Sequence, residues 1–211
     1  MQHGMSGGHR GPNGRISNVP PRDSDAWYAH VNTTAGNFVI EINPSWSPIG
    51  AQHFLDLVES GFYDGQKVFR VIPNFLVQFG YNGDPAVNSR VMSTKIKDDR
   101  FRVSNFRGYV AFAGNAKNSR GTNVFINLVD NFFIDHRDVW ATPFGRIDSE
   151  GMKVVESFYS QYNSLPPNQQ PDQGKIGQYG NDYLNDVFPE LTEITSIRAA
   201  TARPSISHQE L

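Results

Sequence analysis

Alternating apolar and polar positions predict a β-hairpin near the beginning of the folded part of the chain. Side chains alternate over residues 26–33, a turn follows at Thr34-Ala35-Gly36, and the apolar positions Phe38, Ile40 and Ile42 continue the period of two. This period places one side of each strand against a core. We therefore expect two antiparallel strands joined by a short turn.

A helical period replaces the alternation in "SPIGAQHFLDLVESGFYDG". The predicted helix begins near Ser47, with Pro48 suited to its first turn, and ends at Gly61. His53 lies within it and is interpreted as a surface or packed residue, not a catalyst. The apolar positions with helical spacing are Phe54, Leu57 and Val58.

The segment "VFRVIPNFLVQFG" places one arginine inside an apolar run. The run is too short to span a membrane, and Pro73 would interrupt a helix. Its alternation predicts two short strands joined at Pro73-Asn74, with Arg70, Phe75 and Gln78 converging on one surface. The alternative is an edge strand whose arginine head is simply in water. This window alone leaves both interpretations open.

The rest of the chain predicts further strands with a few helices between them. The polar segment 81–107 is interpreted as a loop with a solvated charged face, and residues 163–180 as a loop rich in Pro, Gln and Gly. Many strands with well-separated helices predict a mainly β fold, a closed antiparallel barrel capped by helices. The later elements expected are strands at Tyr109–Ala113, Val124–Val129 and Thr192–Ala200, and helices at Gly151–Gln161 and Asn181–Phe188.

Composition narrows the classes of function. The 211 residues allow one sizeable domain, and 19 basic against 21 acidic residues give a net charge of −2, so nothing indicates nucleic-acid binding. There is no cysteine, which excludes disulfides, thiolate metal sites and cysteine nucleophiles. No apolar stretch is long enough for a membrane span, so we expect a soluble protein of the cytoplasm or of an organelle lumen or matrix.

The two ends of the chain differ in composition from its centre. Residues 1–24 are rich in Gly, Pro and Asn and predict an arm, either flexible or lying along a partner in a larger protein complex. Residues 25–201 form the predicted domain, and residues 202–211 a short tail. The oligomeric state leaves no signal in the sequence.

Familiar catalytic motifs are absent from the sequence. It has no phosphate-binding loop, no nucleophile elbow and no His-Glu-x-x-His segment. Asp130, Asp135 and His136 lie close together but lack the spacing of metal ligands, so they are interpreted as a surface turn and no metal is expected.

Three segments, in order, resemble the cyclophilin family of peptidyl-prolyl cis-trans isomerases. They are "FRVIPNFLVQFG", "GYVAFAGNAKNSRGTNVFINLVDNFFID" and "PFGRIDSEGMKVVESF". The resemblance covers about residues 27–200, and "PDQGKIGQYGNDYLNDVFPELTEI" is similar to a bacterial-type branch with an extended C-terminal loop.

The resemblance implies a fold and an activity. It implies a closed barrel of eight antiparallel strands capped by two α-helices, and catalysis of cis/trans isomerisation at X-Pro bonds of protein substrates without metal or cofactor. A barrel does not by itself fix function. The alternative is therefore a catalytically weak scaffold or binding subunit of a larger assembly.

The same resemblance implies site residues at matching positions. Arg70 would be the catalytic hydrogen-bond donor, acting with Phe75 and Gln78. The residues implied to bind substrate are Leu76, Ala113, Gly114, Asn115, Asn123, Phe125, Phe133 and Ile134.

Several positions depart from the family pattern. Phe69 stands where many members have His, Asn115 where a small Ala is usual, and Asn123 where a longer Gln is usual. Phe133 replaces a Trp whose indole N–H is a donor, so we expect weak cyclosporin binding. The family's pocket His before Phe-Gly has no match, and Thr142 or Trp140 are the candidates for that wall.

Overall fold

A computed structural model describes residues 25–137, 141–162 and 169–201, but for residues 136 and 137 it describes only the backbone. Several predicted segments lie outside the described residues. They are the arm 1–24, Trp140, residues 163–168 of the predicted loop and the tail 202–211. None of the helices within these ranges has the length and apolarity needed to cross a membrane.

The described residues form a single antiparallel sheet in the order β3-β9-β1-β2-β8-β6-β7-β5-β4. The strands are β1 Trp27–Thr33, β2 Gly36–Ile42, β3 Gln66–Lys67, β4 Arg70–Ile72, β5 Leu76–Phe79, β6 Tyr109–Phe112, β7 Val124–Asn127, β8 Gly145–Ile147 and β9 Glu193–Ala200. The mainly β class and the opening hairpin are confirmed.

The predicted closed barrel of eight strands is corrected to a half-barrel of nine. The edge strands β3 and β4 are consecutive in the chain and are not paired with each other. Val68 and Phe69 separate them, and both side chains are buried. The extra strand arises because these two residues divide one extended segment, leaving β3 to pair with β9 and β4 with β5.

Helices are more numerous than the two that the resemblance implies. They are α1 Pro48–Glu59, α2 Pro85–Val91, α3 Phe132–Arg137, α4 Ser149–Glu156 and α5 Gln173–Val187. The predictions of α1 and α4 are confirmed, although α4 is shorter than expected. Two loop predictions were wrong in part, because α2 lies within 81–107 and α5 begins well before the predicted residue 181. Helix α3 was not predicted.

The main core lies on one face of the sheet under α1 and α4. Adjacent residues of a strand point to opposite faces, so Val77 and Phe79 enter this core while Gln78 between them does not. A second buried cluster lies beneath α5 and includes Phe69, Tyr81, Ile176 and Leu184. This packing explains why position 69 is Phe. Its side chain supports α5, which lies over the segment just before β4.

A close contact between Gly180 and Gly83 holds α5 against the segment that precedes α2. Gly180 has φ 57° and ψ −139°, which interrupts the helix, and a Cβ placed there would lie 2.0 Å from the carbonyl oxygen of Gly83. Asn181 donates its backbone N–H to that same oxygen at 2.9 Å. Only glycine combines this conformation with this contact.

We expect Gly180→Ala to destabilise the fold by at least about 1–3 kcal/mol, because it forces strain and a backbone clash together. Gly177→Ala is the matched control, since a Cβ there would only touch Tyr81 Cε1 at 3.8 Å. That change should stabilise by about 0.5–1 kcal/mol through helix propensity. Urea unfolding of both variants measures the difference, and equal stabilities would contradict this account of α5.

Candidate active site

The strand register brings the predicted residues into one row on the face of the sheet opposite to the main core. Arg70 of β4 lies across from Gln78 of β5, Gln78 across from Phe125 of β7, and Phe125 across from Ala111 of β6. The row follows from the alternation that the sequence already shows. A cationic head, an amide and an aromatic ring therefore lie side by side on three neighbouring strands.

Arg70 is held between its neighbours without being neutralised. Its Nη1 donates to Oε1 of Gln78 at 3.1 Å, and its guanidinium carbon lies 6.0 Å from the ring centre of Phe75. Its Nε is buried and has no partner among the described residues. Arg70 thus lies on an edge strand, but its head packs on Phe75 and bonds Gln78 and is only partly exposed, so it is not simply in water.

Partial burial lowers the pKa of Arg70 from its ordinary value, because the surrounding protein removes water from the charge. An arginine remains protonated despite such a shift. The residue therefore presents a permanent cation.

An apolar cluster, separate from the main core, lies beside Arg70. Its members come from β5, the turn before it, the β6–β7 region and α3, and the outward side of the sheet carries them. They are Phe75, Leu76, Ala111, Ala113, Phe125, Ile134 and Ala141. Phe133, whose side chain is exposed, extends the cluster by stacking on Phe75 with ring centres 5.7 Å apart.

Buried asparagines fix the position of Phe75 relative to β7 and α3. The carbonyl oxygen of Phe75 accepts from Leu128 N at 3.0 Å and from Asn131 Nδ2 at 2.9 Å. Asn131 also donates to Asn127 Oδ1, and Asn127 donates to Asn105 Oδ1. These bonds tie the turn that carries Phe75 to the strand that carries Phe125.

The remaining predicted residues line a cavity of about 350 Å³ beside this cluster. We call it the second pocket, to distinguish it from the apolar cluster beside Arg70. Its described lining is Gln78, Tyr81, Met92, Lys95, Ala113, Gly114, Asn115, Ser119, Gly121, Thr122, Asn123 and Gln173.

Two bonds hold the rim of the second pocket in shape. The backbone N–H of Ala113 donates to the carbonyl of Asn123 at 2.8 Å, and that of Asn115 donates to Ser119 Oγ at 2.9 Å. Gln78 and Ala113 each belong both to the pocket and to the surroundings of Arg70. The predicted residues thus lie in two adjoining sets, the apolar cluster beside Arg70 and the second pocket, which we together call the cleft.

Other residues predicted or considered from the sequence lie elsewhere. Asp130 accepts from Arg107 N and Asp135 from Asn105 N, so both carboxylates serve local structure. His53 contacts the carbonyl of Gly121, and burial lowers its pKa. Thr142 is buried and accepts weakly from Arg102 N at 3.4 Å.

A model of a known protein family matches most of the chain. The model of the cyclophilin type peptidyl-prolyl cis-trans isomerase/CLD family matches residues 28–178.

The chain belongs to the cyclophilin family.

Curated relatives agree with this membership. The chain is 34% identical over 131 residues to peptidyl-prolyl cis-trans isomerase A of Dickeya dadantii, covering 60% of this chain and 67% of the relative. It is 31% identical over 147 residues to a peptidyl-prolyl cis-trans isomerase of Acinetobacter baylyi, covering 64% and 77%.

Solved structures of lower identity share the fold. A cyclophilin type peptidyl-prolyl cis-trans isomerase of Cryptosporidium parvum aligns with a TM-score of 0.59 at 17% identity, over 85% of this chain and 99% of the other. The same protein in the presence of the dipeptide Ala-Pro aligns with a TM-score of 0.56 at 19% identity, over 83% and 99%. The cyclophilin fold is therefore shown.

Sequence reasoning missed the wall of the second pocket that comes from outside the three motif segments. Tyr81 donates its hydroxyl to Gln173 Oε1 at 3.1 Å and also contacts the side chain of Asn123. Burial raises the pKa of this tyrosine, so it remains a neutral hydroxyl. Gln173 belongs to α5 and Lys95 to the segment interpreted as a solvated face. Neither had a local signal, because only tertiary packing brings them to the cleft.

Proposed function

We propose that this cyclophilin catalyses cis/trans isomerisation of X-Pro peptide bonds, with Arg70 as the catalytic hydrogen-bond donor. The observation that carries the proposal is a partly exposed arginine, held by Gln78 and packed on Phe75, at the edge of an apolar cluster on the face of the sheet opposite to the main core. The Ala-Pro dipeptide named with the C. parvum cyclophilin supports a proline-containing ligand for this cleft.

The reaction needs no bond cleavage, only rotation about an amide. Its barrier is about 18–20 kcal/mol because rotation destroys amide resonance, and the uncatalysed change takes roughly tens to hundreds of seconds. In the twisted state the lone pair localises on the imide nitrogen. A donor that bonds this nitrogen only in that state lowers the barrier.

Each part of the cleft has a role in this scheme. The proline ring packs among Phe75, Leu76, Phe125 and Ile134, where burial of apolar area favours binding. Arg70 donates to the imide nitrogen as the amide twists. Gln78 orients Arg70, and the polar rim at Gly114, Asn115 and Asn123 holds the substrate backbone. Phe133 covers the open side of the ring.

A binding or scaffold function is the second candidate. It is favoured by Asn123, whose side chain hydrogen-bonds the hydroxyl of Tyr81, so its amide is engaged within the protein and is not free for a substrate carbonyl. A shelf that grips the carbonyl poorly would bind a Pro-containing segment yet turn it over slowly. The arm 1–24 would be the second contact of such a subunit.

A protease-coupled assay on an X-Pro tetrapeptide separates the two candidates. We expect the full chain at micromolar concentration to shorten the slow phase well below the uncatalysed time. A folded protein that leaves this phase unchanged would contradict the isomerase proposal and support the scaffold.

Cyclosporin affinity tests the role of Phe133. We expect the wild-type dissociation constant to be weaker than nanomolar, because phenylalanine offers no N–H donor to the ligand. Phe133→Trp should tighten binding by about 5- to 150-fold, the range that one satisfied buried partner contributes. Phe132→Trp, at the neighbouring exposed position, is the control and should change nothing. Nanomolar binding by the wild type would refute this role.

A further inference from the structure

A surface that is both basic and apolar lies at the beginning of α1. Six residues form it, and the side chains of all six are exposed. They are Pro48 and Ile49 of α1 and Lys97, Arg100, Phe101 and Arg102 of the segment between α2 and β6. None of them belongs to the apolar cluster beside Arg70 or lines the second pocket. We call this set the α1 surface.

Two tethers hold the segment that carries Phe101 against the beginning of α1. On one side of Phe101, the carboxylate of Asp99 accepts from the backbone N–H groups of Ile49 and Gly50. On the other side, Nη1 of Arg102 donates to the carbonyl oxygen of residue 45 at 2.8 Å. The two segments are therefore fixed next to each other, yet Phe101 stays 40% exposed and Ile49 39% exposed. Single exposed apolar side chains are ordinary, but two on adjoining, tethered segments are typical of a contact surface.

The charged side chains of residues 97–100 are sorted by sign. Asp99 is buried and pairs with the buried Arg120, and Asp98 faces the same guanidinium. Lys97 and Arg100 are exposed and form no ion pair within the described ranges. The cations of the α1 surface are therefore not neutralised by the acids next to them in the sequence, because those acids serve a buried arginine.

We propose that the α1 surface docks a short acidic segment of a partner protein, in which Asp or Glu residues flank a large apolar side chain. The carboxylates pair with Lys97, Arg100 and the N–H groups of Arg102 that do not bond the protein. The apolar side chain packs on Phe101 and Ile49, where burial of apolar area favours binding. The inference goes beyond the proposed function, because it needs neither Arg70 nor turnover.

The charge of the whole chain favours a short acidic segment over a large polyanion. The chain has a net charge of −2, although the α1 surface itself carries three cations and no acid. Nucleic acids and anionic membranes are extended polyanions, whose binding grows with the number of cations they meet and which would also meet the acidic remainder of the chain. A short segment with a few carboxylates meets only the local cations.

NMR titration of the isotope-labelled full chain with a proline-free peptide tests the proposal. The probe is Glu-Asp-Leu-Glu-Phe-Asp-Glu, and its uncharged counterpart Gln-Asn-Leu-Gln-Phe-Asn-Gln is the control peptide. We expect the acidic peptide to shift the amide resonances of residues 49–50 and 97–102 and to bind at least about tenfold more tightly than the control. This preference should shrink at 1 M NaCl, where the screening length is about 3 Å. Equal affinities, or shifts confined to other residues, would overturn the proposal.

Charge reversal assigns the binding to this surface. Lys97→Glu combined with Arg100→Glu should weaken the acidic peptide at least about tenfold, because two exposed attractions become repulsions. Arg90→Glu combined with Lys175→Glu is the matched control, since it changes the net charge equally at exposed positions outside the α1 surface. It should leave the affinity within about twofold. Equal weakening by the two double variants would overturn the proposal, because net charge alone would then explain the binding.

The same assay separates the partner classes. An oligouridine and vesicles of anionic lipid replace the peptide as probes. We expect both to bind the wild-type chain more weakly than the acidic peptide does. Tighter binding of either one, lost in the Lys97→Glu and Arg100→Glu double variant, would overturn the choice of a protein segment as the partner.

Turnover of an Ala-Pro tetrapeptide distinguishes this inference from the proposed function. The Lys97→Glu and Arg100→Glu double variant should keep kcat/KM within about twofold of the wild type, because neither residue lies in the cleft. A loss of turnover in parallel with the loss of peptide binding would overturn the proposal, since the two cations would then belong to the cleft. If the wild type does not isomerise the tetrapeptide, the titration with the acidic peptide still decides the role of the α1 surface.

Discussion

Arg70→Ala should lower kcat/KM for X-Pro peptides by about 10²–10³, the usual effect of removing a donor that acts on the transition state. The loss should fall mainly on kcat, because the bond to the imide nitrogen forms only as the amide twists. Arg70→Lys should lie between wild type and the alanine variant, since a lysine keeps the charge but lacks the planar fork that Gln78 orients. The protease-coupled assay over a range of substrate concentrations measures both parameters.

Arg198→Ala is the control for this experiment. Arg198 of β9 pairs with Asp64 at 2.8 Å, and neither residue belongs to the apolar cluster or lines the second pocket. It should leave kcat and KM unchanged. An unaltered far-UV circular dichroism spectrum of Arg70→Ala would show that the loss of activity does not come from unfolding. A fall of less than about fivefold in that variant would contradict the role of Arg70.

Asp99→Asn should destabilise the protein by about 3–5 kcal/mol, because it removes the closer and more deeply buried of the two carboxylates that face a fully buried arginine. The side chain of Arg120 is 0% exposed and that of Asp99 is 2% exposed, with 3.1 Å between Arg120 Nη2 and Asp99 Oδ2. Asp99 also accepts from the backbone N–H groups of Ile49 and Gly50 at 2.9 and 2.8 Å. It thereby caps α1 from a distant segment.

The neighbouring carboxylate gives a matched comparison. Asp98 faces the same guanidinium at 3.7 Å but is 17% exposed, so Asp98→Asn should cost less than about 1 kcal/mol. Urea unfolding measures both variants. Combining Asp99→Asn with Arg120→Met should show a coupling of about 0.5–3 kcal/mol, since the two residues are in contact. Equal costs for Asp98 and Asp99 would contradict the assignment of the buried pair.

The Arg120–Asp99 pair also stabilises one side of the second pocket. Arg120 lies between Ser119 and Gly121, which both line the second pocket, while Asp99 belongs to the long segment before β6. The pair therefore fastens the polar rim of the cleft to the beginning of α1. Loss of Asp99 should loosen that rim before the whole domain unfolds.

Local patterns predicted the central part of the cleft well. The alternation through "VFRVIPNFLVQFG" places Arg70 and Gln78 on one face and Val71 and Val77 on the other, and the structure has this arrangement. The prediction succeeded because the alternation within one short segment is enough to assign each side chain to a face of the strand pair. The functional roles of Arg70 and the other site residues stay predictions.

The elements that the sequence did not predict depend on distant partners. The first half of α5 contains Gly174, Gly177 and Gly180, which disfavour a helix, yet it forms because Asp172 caps it and Ile176 packs on the cluster under α5. Lys95 belongs to a segment with many charges, and nothing local shows that it crosses Gly121. Such contacts appear only once the sheet has brought separate segments together.

Exchange NMR on an Ala-Pro tetrapeptide with a substoichiometric amount of the full chain tests the central claim most directly, because it reports binding and turnover in one sample. Our account predicts exchange cross-peaks between the cis and trans forms that are absent without protein and absent again with Arg70→Ala. Shifted peptide resonances without exchange cross-peaks for the wild type would contradict it, since the cleft would then bind proline segments without isomerising them.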